Sequence, residues 1–381
     1  MKLFSSTTLR SRFPQDGHMS MLDRLFPVPK LLNPPAVGID ISDASIKWLG
    51  LTKDLHEYRI ATYGELELSD GVVVKGLVQD VAELAKALRE IKPHLGGFGC
   101  AHAALPEEAA YIFSMNVPFG SSNEQILGMI EFEFEGRVPI PPSAAVYDYS
   151  VIGGEGRTGD ASTEIGVVVF PREFVESYIT AFDLAGITLL SLETEARSIA
   201  RAVSTGAVDE PITLLVDFGR GRTGFAVVKR GVPIFTSTVE VGGEEMTHAV
   251  MNKLSLTRGE AEVFKNDQGL VADAGPKSPG VEVMMGAASA LADEVARHYH
   301  YWDTRRNEHG ERMTPVGRVL LVGGSSNLKG LADYIAARVQ APTNRANVWL
   351  HVCSFDEYIP PIDRRTSLQY ATTVGLALRG L

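Results

Sequence analysis

Two acidic residues close apolar runs in the two halves of the chain, and each is followed by a turn of small residues. In the first, residues 37–47 read Val-Gly-Ile-Asp-Ile-Ser-Asp-Ala-Ser-Ile-Lys. The apolar run reaches Asp40, turns through Ser42, Asp43 and Ser45, and resumes through Trp48, Leu49 and Leu51. In the second, residues 214–228 carry Asp217 into a turn that holds Gly219, Gly221 and Thr223 before another apolar run. Small residues let backbone N–H groups approach phosphate oxygens. An Asp at each strand end can hold the water shell of Mg2+, an ion that keeps most of its waters. Lys47, seven residues after Asp40, returns a point charge to the same place. The chemistry this pattern suits is the binding of phosphates and Mg2+ between two facing loops.

Further candidates lie downstream. Gly242-Gly243 opens a helix, and a short helix over 257–265 carries Glu262 and Lys265. A buried strand over 319–322 delivers Gly323-Gly324-Ser325 to a helix over 331–339. Taken singly, a Gly-Gly turn is more often a tight connection than a ligand site. Glu262 and Lys265 read by themselves as an exposed ion pair one helical turn apart. His298, His300 and His309 stand among Tyr299, Tyr301 and Trp302. His298 and His300 are two apart and face different ways on a helix, so this group reads as aromatic packing.

The elements that must position these residues alternate strand and helix. Strand, turn and strand fill 37–68, Asp80 caps a helix with Val81, Leu84, Leu88 and Ile91 on one face, and 99–105 is a strand ended by Pro106. Strands at 111–117, 147–152 and 164–170, with helices at 123–134 and 172–184, form a small α+β unit over 106–187. Residues 189–203 begin as a strand and become a helix that contains Glu193 and Glu195. The second half repeats the strand order of the first, with loops at 153–162 and 271–280, a long helix over 281–302 and an apolar tail helix. With 381 residues the chain exceeds one ordinary core. The resulting expectation is an α/β protein: a leader over 1–35, a first lobe of 36–105 and 188–205, an inserted subdomain over 106–187, and a second lobe over 206–366. The second lobe carries a small insertion at about 248–316, and a C-terminal helix over 367–381 packs back on the first lobe.

Composition narrows the function classes. A net charge of -11 gives no encouragement to nucleic-acid binding, which needs clustered Lys and Arg. Cys100 and Cys353 lie far apart, without metal-ligand or secreted-framework spacing, and read as reduced cytoplasmic thiols. The apolar runs are of strand length, well short of the ~20 residues of a membrane-spanning helix. The apolar-basic leader over 19–32 is broken by Pro27 and Pro29 and reads as a segment that packs on its own domain.

In this order the motifs resemble the actin-like ATPase superfamily, from residue 36 to nearly the end. Within it the chain is similar to the PilM family of type IV pilus assembly. The stretches that carry the likeness are 38–47, Glu195-Ala with Ala200-Arg-Ala, 241–247 (Val-Gly-Gly-Glu-Glu-Met-Thr), Ala261-Glu-Val-Phe-Lys, 321–325 (Leu-Val-Gly-Gly-Ser) and 375–379. The resemblance implies a two-lobed, ribonuclease H-like fold that binds ATP or ADP with Mg2+. Asp40, Ser42, Asp43, Ser45 and Lys47 would form one phosphate loop, and Asp217, Gly219, Gly221 and Thr223 the other. Glu195 would orient a water or the Mg2+ shell. Glu262 would meet the ribose and Lys265 the adenine edge, with Gly242, Gly243, Gly323, Gly324 and Ser325 lining the nucleoside. The implied role is a cytoplasmic scaffold recruited to the inner membrane through the N-terminal peptide of a PilN-like protein. Other pilus components, a related type II secretion system and self-association belong to the same picture. The alternatives are an FtsA-like division filament and a sugar- or acetate-kinase-type enzyme. Ser42 and Asp43 depart from the family pattern of Gly and a small residue. They add a Cβ and a carboxylate beside the phosphates, which implies weakened nucleotide affinity or lost hydrolysis, unless Arg220 and Arg222 compensate.

Overall fold

The structure, a computed structural model, describes residues 34–54, 57–153, 162–270, 279–306 and 314–381. The expected leader, His309 and most of the loops at 153–162 and 271–280 lie outside the described residues. The first lobe begins with β1 (Ala36–Ile41), β2 (Ser45–Asp54) and β3 (Glu57–Glu67), then the small hairpin β4 (Val73–Val74) and β5 (Leu77–Val78). Helix α1 (Val81–Ile91) and β6 (Cys100–Leu105) follow. Asp80 caps α1 by accepting from the amides of Ala82 and Glu83, and Leu84, Leu88 and Ile91 are its buried face. The next elements are β7 (Tyr111–Pro118), α2 (Asn123–Arg137), β8 (Ala145–Gly153), β9 (Ser162–Pro171), α3 (Arg172–Ala185), β10 (Thr188–Thr194) and α4 (Glu195–Val203).

The second lobe contains β11 (Thr213–Phe218), β12 (Thr223–Lys229), β13 (Val232–Val239), α5 (Gly243–Leu254), α6 (Arg258–Gln268) and α7 (Pro279–Thr304). It ends with β14 (Arg318–Val322), α8 (Leu331–Val339), β15 (Thr343–Arg345) and α9 (Ala371–Ala377). Its sheet runs β15-β14-β11-β12-β13, and the first lobe's runs β10-β6-β1-β2-β3, so the order repeats strand for strand. In each, the central strand is antiparallel to the following hairpin strand and parallel to its other neighbour. β1 and β11 are buried almost throughout, as central strands covered on both faces must be. β3 alternates between half-buried and exposed residues, as an edge strand does.

Two placements differ from the sequence reading. Helix α3 was grouped with the inserted subdomain, yet its Phe174, Tyr178 and Phe182 pack in one core with Val37, Ile39 and Leu84. The reason is topological: parallel β6 and β10 need a crossover helix, and α3 supplies it. The insertion proper is the β7-β9-β8 sheet with α2, around Phe113, Ile126, Ile130, Phe134 and Val167. Glu193 was placed on a helix, but it lies on β10, and α4 starts only at Glu195. Thr194 stays extended and accepts from the Arg197 amide at 3.1 Å, which fixes the helix start behind it.

The last helix of each lobe packs on the other lobe. α4 lies against β12 and β13, whereas α9 lies against β1 and β2. The two helices also meet each other at Gly375, where an added Cβ would stand 1.8 Å from the Ser198 carbonyl oxygen. Ser198 Oγ donates to the Thr372 carbonyl at 2.6 Å in the same crossing. Leu49, Ile199, Leu215, Val322 and Val374 share the core that results, so the lobes are joined through apolar packing.

Candidate functional site

Because β1, β6 and β10 are parallel, their C-terminal ends open on one edge of the first sheet, where ligands of α/β sheets bind. That edge presents Asp40, then Glu107 and Glu108 just past β6, and Glu195 at the start of α4. Asp217 at the end of β11 is the second lobe's counterpart of Asp40. Asp40 Oδ1 is shut off from solvent and has no hydrogen-bond partner. Lys47, paired with Asp40 across the hairpin, donates to Ser45 Oγ at 2.8 Å and lies 3.0 Å from Glu65 Oε1.

The first turn satisfies itself. Ser42 donates its amide and its hydroxyl to the Ser45 carbonyl at 2.9 and 3.0 Å, and Ser42 Oγ accepts from the Ser45 amide at 3.1 Å. Asp43 accepts from the amides of Lys75 and Gly76 at 2.8 and 2.9 Å, closing the β4–β5 turn, in which both residues have positive φ. The carboxylate expected to repel phosphates thus already holds two N–H donors.

The second turn is built differently. Gly219 donates to the Arg222 carbonyl at 3.0 Å, and a Cβ at Gly219 would press on that same oxygen. Thr223 Oγ1 donates to the Val241 carbonyl at 2.5 Å, while Gly221 is exposed. Arg222 reaches across into the first lobe. Its Nη1 lies 2.6 Å from Glu108 Oε1 and 3.8 Å from Asp43 Oδ1, and its Nη2 donates to Glu195 Oε1 at 3.3 Å. Arg220 stays on the surface with Glu244.

The carboxylates outnumber the cations facing them, and their protonation shows it. Burial raises Asp40 to about 6 against the pull of Lys47, with Asp217 adding to the rise. Burial likewise raises Asp217 to about 7, with Glu195 adding to it. Glu195 reaches about 7 through burial, opposed by Arg222 and reinforced by Asp40 and Glu108. Glu107 is held well above the ordinary range by burial and by Glu195. Glu107 Oε1 accepts from the Ala196 amide at the start of α4, which lowers it against that rise. A cavity of about 20 Å³ lined by Glu107, Glu195 and Asp217 together with the apolar Ile199, Leu215 and Phe225 has room for one water molecule. Glu107 and Glu108 went unnoticed in the sequence. Their signal was position, immediately behind a strand parallel to the one that ends at Asp40.

The nucleoside candidates form a separate group. Gly243 and Glu244 donate their amides to the carbonyls of Gly219 and Arg220 at 3.1 and 2.8 Å, which seats α5 on the second turn. A Cβ at Gly242 would stand 2.2 Å from the Arg220 carbonyl oxygen, one at Gly243 2.1 Å from Ser325 Oγ, and one at Gly323 2.4 Å from Asp217 Oδ1. Ser325 Oγ donates to the Gly219 carbonyl at 2.9 Å. These glycines therefore serve close packing of the turn, whereas Gly324 is exposed, with its nearest neighbour 3.5 Å from an added Cβ. Lys265 ties α6 to α5 through Thr247 Oγ1 at 2.8 Å, and burial lowers its pKa. Glu262 pairs with Arg258 at 3.3 Å rather than with Lys265. His298 stacks on Phe225 at 4.1 Å, a packing role. Among the described residues no three His, Cys, Asp or Glu converge to hold a metal directly, and no helix is long and apolar enough to cross a membrane.

A family model described as Type IV pilus assembly protein PilM matches residues 38–381. The chain belongs to this PilM family. Among solved structures it is similar to a PilM-PilN type IV pilus biogenesis complex, at 18% identity and a TM-score of 0.74, with 91% of this chain and 98% of that one covered. It is also similar to the ethanolamine utilization protein EutJ from Carboxydothermus hydrogenoformans, at 19% identity and a TM-score of 0.50, with 92% and 91% covered. These likenesses establish the two-lobed actin-like fold, and the PilM match places it in type IV pilus assembly.

Proposed function

We propose that this PilM-family protein is the cytoplasmic, nucleotide-responsive scaffold of a type IV pilus inner-membrane complex, binding the N-terminal peptide of a PilN-like membrane protein. The family match across residues 38–381 carries the proposal, and the fold shared with a PilM-PilN complex supports it. Recruitment to the membrane then comes through the partner. Extended peptides of this kind bind grooves by strand or pocket complementarity.

ATP or ADP with Mg2+ fits the residues between the two hairpin turns. The orphaned Asp40 Oδ1, with Asp217 and Glu195 facing the same cleft, suits a hard cation that keeps most of its waters. Bound there, the nucleotide and its metal would supply opposite charges that draw the two turns together. Asp40 and Asp217 would face the metal's water shell, and Lys47 the phosphates. Glu195, which lines the cavity with Glu107 and Asp217, is placed to orient a water there. Lys265 and the exposed Gly324 face the nucleoside in this reading. Binding then biases lobe closure, so the nucleotide acts as a conformational ligand.

Calorimetric titration with a synthetic peptide of the first dozen or so residues of a PilN-like partner tests the scaffold. Saturable one-to-one binding is the expected result. No binding to such peptides, in a sample that takes up nucleotide normally, would overturn the partner assignment.

A further inference from the structure

The second turn sends a guanidinium into the first lobe at the place where a nucleotide-binding cleft of this fold needs positive charge. Arg222 lies 2.6 Å from Glu108, bonds Glu195 at 3.3 Å and approaches Asp43 at 3.8 Å. Its Nη2 bonds Glu195, while the buried Nη1 lies close to Glu108 without an aligned hydrogen bond, so the guanidinium bridges the two carboxylates by charge over a span that an ammonium does not cover. Two observations beside the acidic cluster show that the place suits a cation. Asp40 Oδ1 is buried without a partner, and a cavity with room for one water lies among Glu107, Glu195 and Asp217.

We propose that Arg222 is the resident cation of this cleft, occupying between Glu108 and Glu195 the position a divalent cation would take, so that such a cation binds only where Arg222 is displaced. This rests on the reading of the cleft as a phosphate and Mg2+ site. The physical ground is competition: a guanidinium and a hydrated divalent ion cannot both neutralise the same two carboxylates, and removing the guanidinium leaves their charge uncompensated. Arg222 comes from the second lobe and its partners from the first, so displacing it also releases an ion pair that holds the lobes together.

The test counts Mn2+ bound to the full-length, nucleotide-free protein by the electron paramagnetic resonance of the free ion. Arg222→Gln is expected to bind one Mn2+ about tenfold tighter than wild type. Adding Glu108→Gln to that variant is expected to remove the gain. Equal affinity in wild type and Arg222→Gln, or a gain indifferent to Glu108→Gln, overturns the proposal, as does proton uptake without Mn2+. Should Arg222→Gln fail to fold, Arg222→Lys asks the same question with the charge kept. Its single ammonium cannot span both carboxylates, so Mn2+ affinity is expected to rise about threefold, and no rise overturns the proposal. ATP titrations of the same samples separate the two readings. Tighter Mn2+ binding with no ATP binding to any sample keeps Arg222 as the resident cation and overturns the nucleotide site. ATP binding to all samples with equal Mn2+ affinity does the reverse.

Discussion

Glu193 and Glu195 are two residues apart, the first buried and the second nearly so, and opposite in chemistry. Burial would raise Glu193, but Arg201 and Arg379 outweigh it and push the carboxyl down to about 2. Arg201 grips both of its oxygens, at 2.5 and 2.7 Å, Arg379 bonds it as well, and Arg201 also donates to the Gly375 carbonyl at 2.9 Å. Glu195, just past the helix start, meets one arginine and several acids, and burial carries it up to about 7. The difference teaches how a buried carboxylate is read. Where arginines outnumber carboxylates it is a rivet between β10, α4 and the C-terminal helix. Where carboxylates outnumber cations, the site is set to take up a cation or a proton.

The contrast can be broken first by substitution. Glu193→Ala takes the shared carboxylate away from the half-buried Arg201 and Arg379, and is expected to cost about 3 kcal/mol in urea unfolding. Glu195→Gln, which keeps the shape of the protonated carboxyl, is expected to change stability by under about 1 kcal/mol when both variants are unfolded at pH 4.5. Similar losses at both positions would contradict the distinction. The rivet can also be attacked from its backbone side. Gly375→Ala would force α9 away from the Ser198 carbonyl, at an expected cost of about 1–3 kcal/mol and with loss of the lobe-to-lobe packing seen by small-angle scattering.

The pH dependence sharpens the comparison, because the signs are opposite. Glu193 is depressed, so its contribution is present above the ordinary carboxylate range and is lost as the pH falls toward about 2. Glu195 and Asp217 are raised, so their contribution is present below that range and is lost as the pH rises toward about 7. Unfolding midpoints measured from pH 4.5 to 7 should therefore fall less steeply in Glu195→Gln than in wild type, by on the order of 2 kcal/mol across the window. Parallel curves would show that Glu195 titrates normally. The smallest expected effect is at the first turn. Asp43→Ala removes the acceptor for two amides and should cost about 1 kcal/mol, with faster hydrogen exchange at Lys75 and Gly76.

Much of the scaffold was legible because it is local. The two Asp-ended runs, the Asp80 cap and the 331–339 helix each rest on patterns within a dozen residues, and all stand in the structure. What escaped was tertiary. Glu107 matters because β6 is parallel to β1 and its carboxyl reaches an amide at Ala196, far along the chain. Helix α3 carries the apolar face of any amphipathic helix, and only the β6-to-β10 crossover decides which core it fills. At Ser42 and Asp43 a sequence shows volume and charge but not the partners, which are the Ser45 backbone and the β4–β5 turn. That Gly242, Gly243 and Gly323 line a nucleoside rests on the resemblance, and only the structure shows the atoms that press on them, those of Arg220, Ser325 and Asp217.

The most direct test is a carboxyl carbon NMR titration of glutamate-labelled protein, with Glu193→Gln and Glu195→Gln for assignment, run without and with Mg-ATP. Glu193 is expected to titrate at about 2 in both samples and Glu195 at about 7 in the free protein, falling when nucleotide and metal enter the cleft. Glu193 and Glu195 titrating together in the ordinary carboxylate range, unmoved by Mg-ATP, would contradict this expectation.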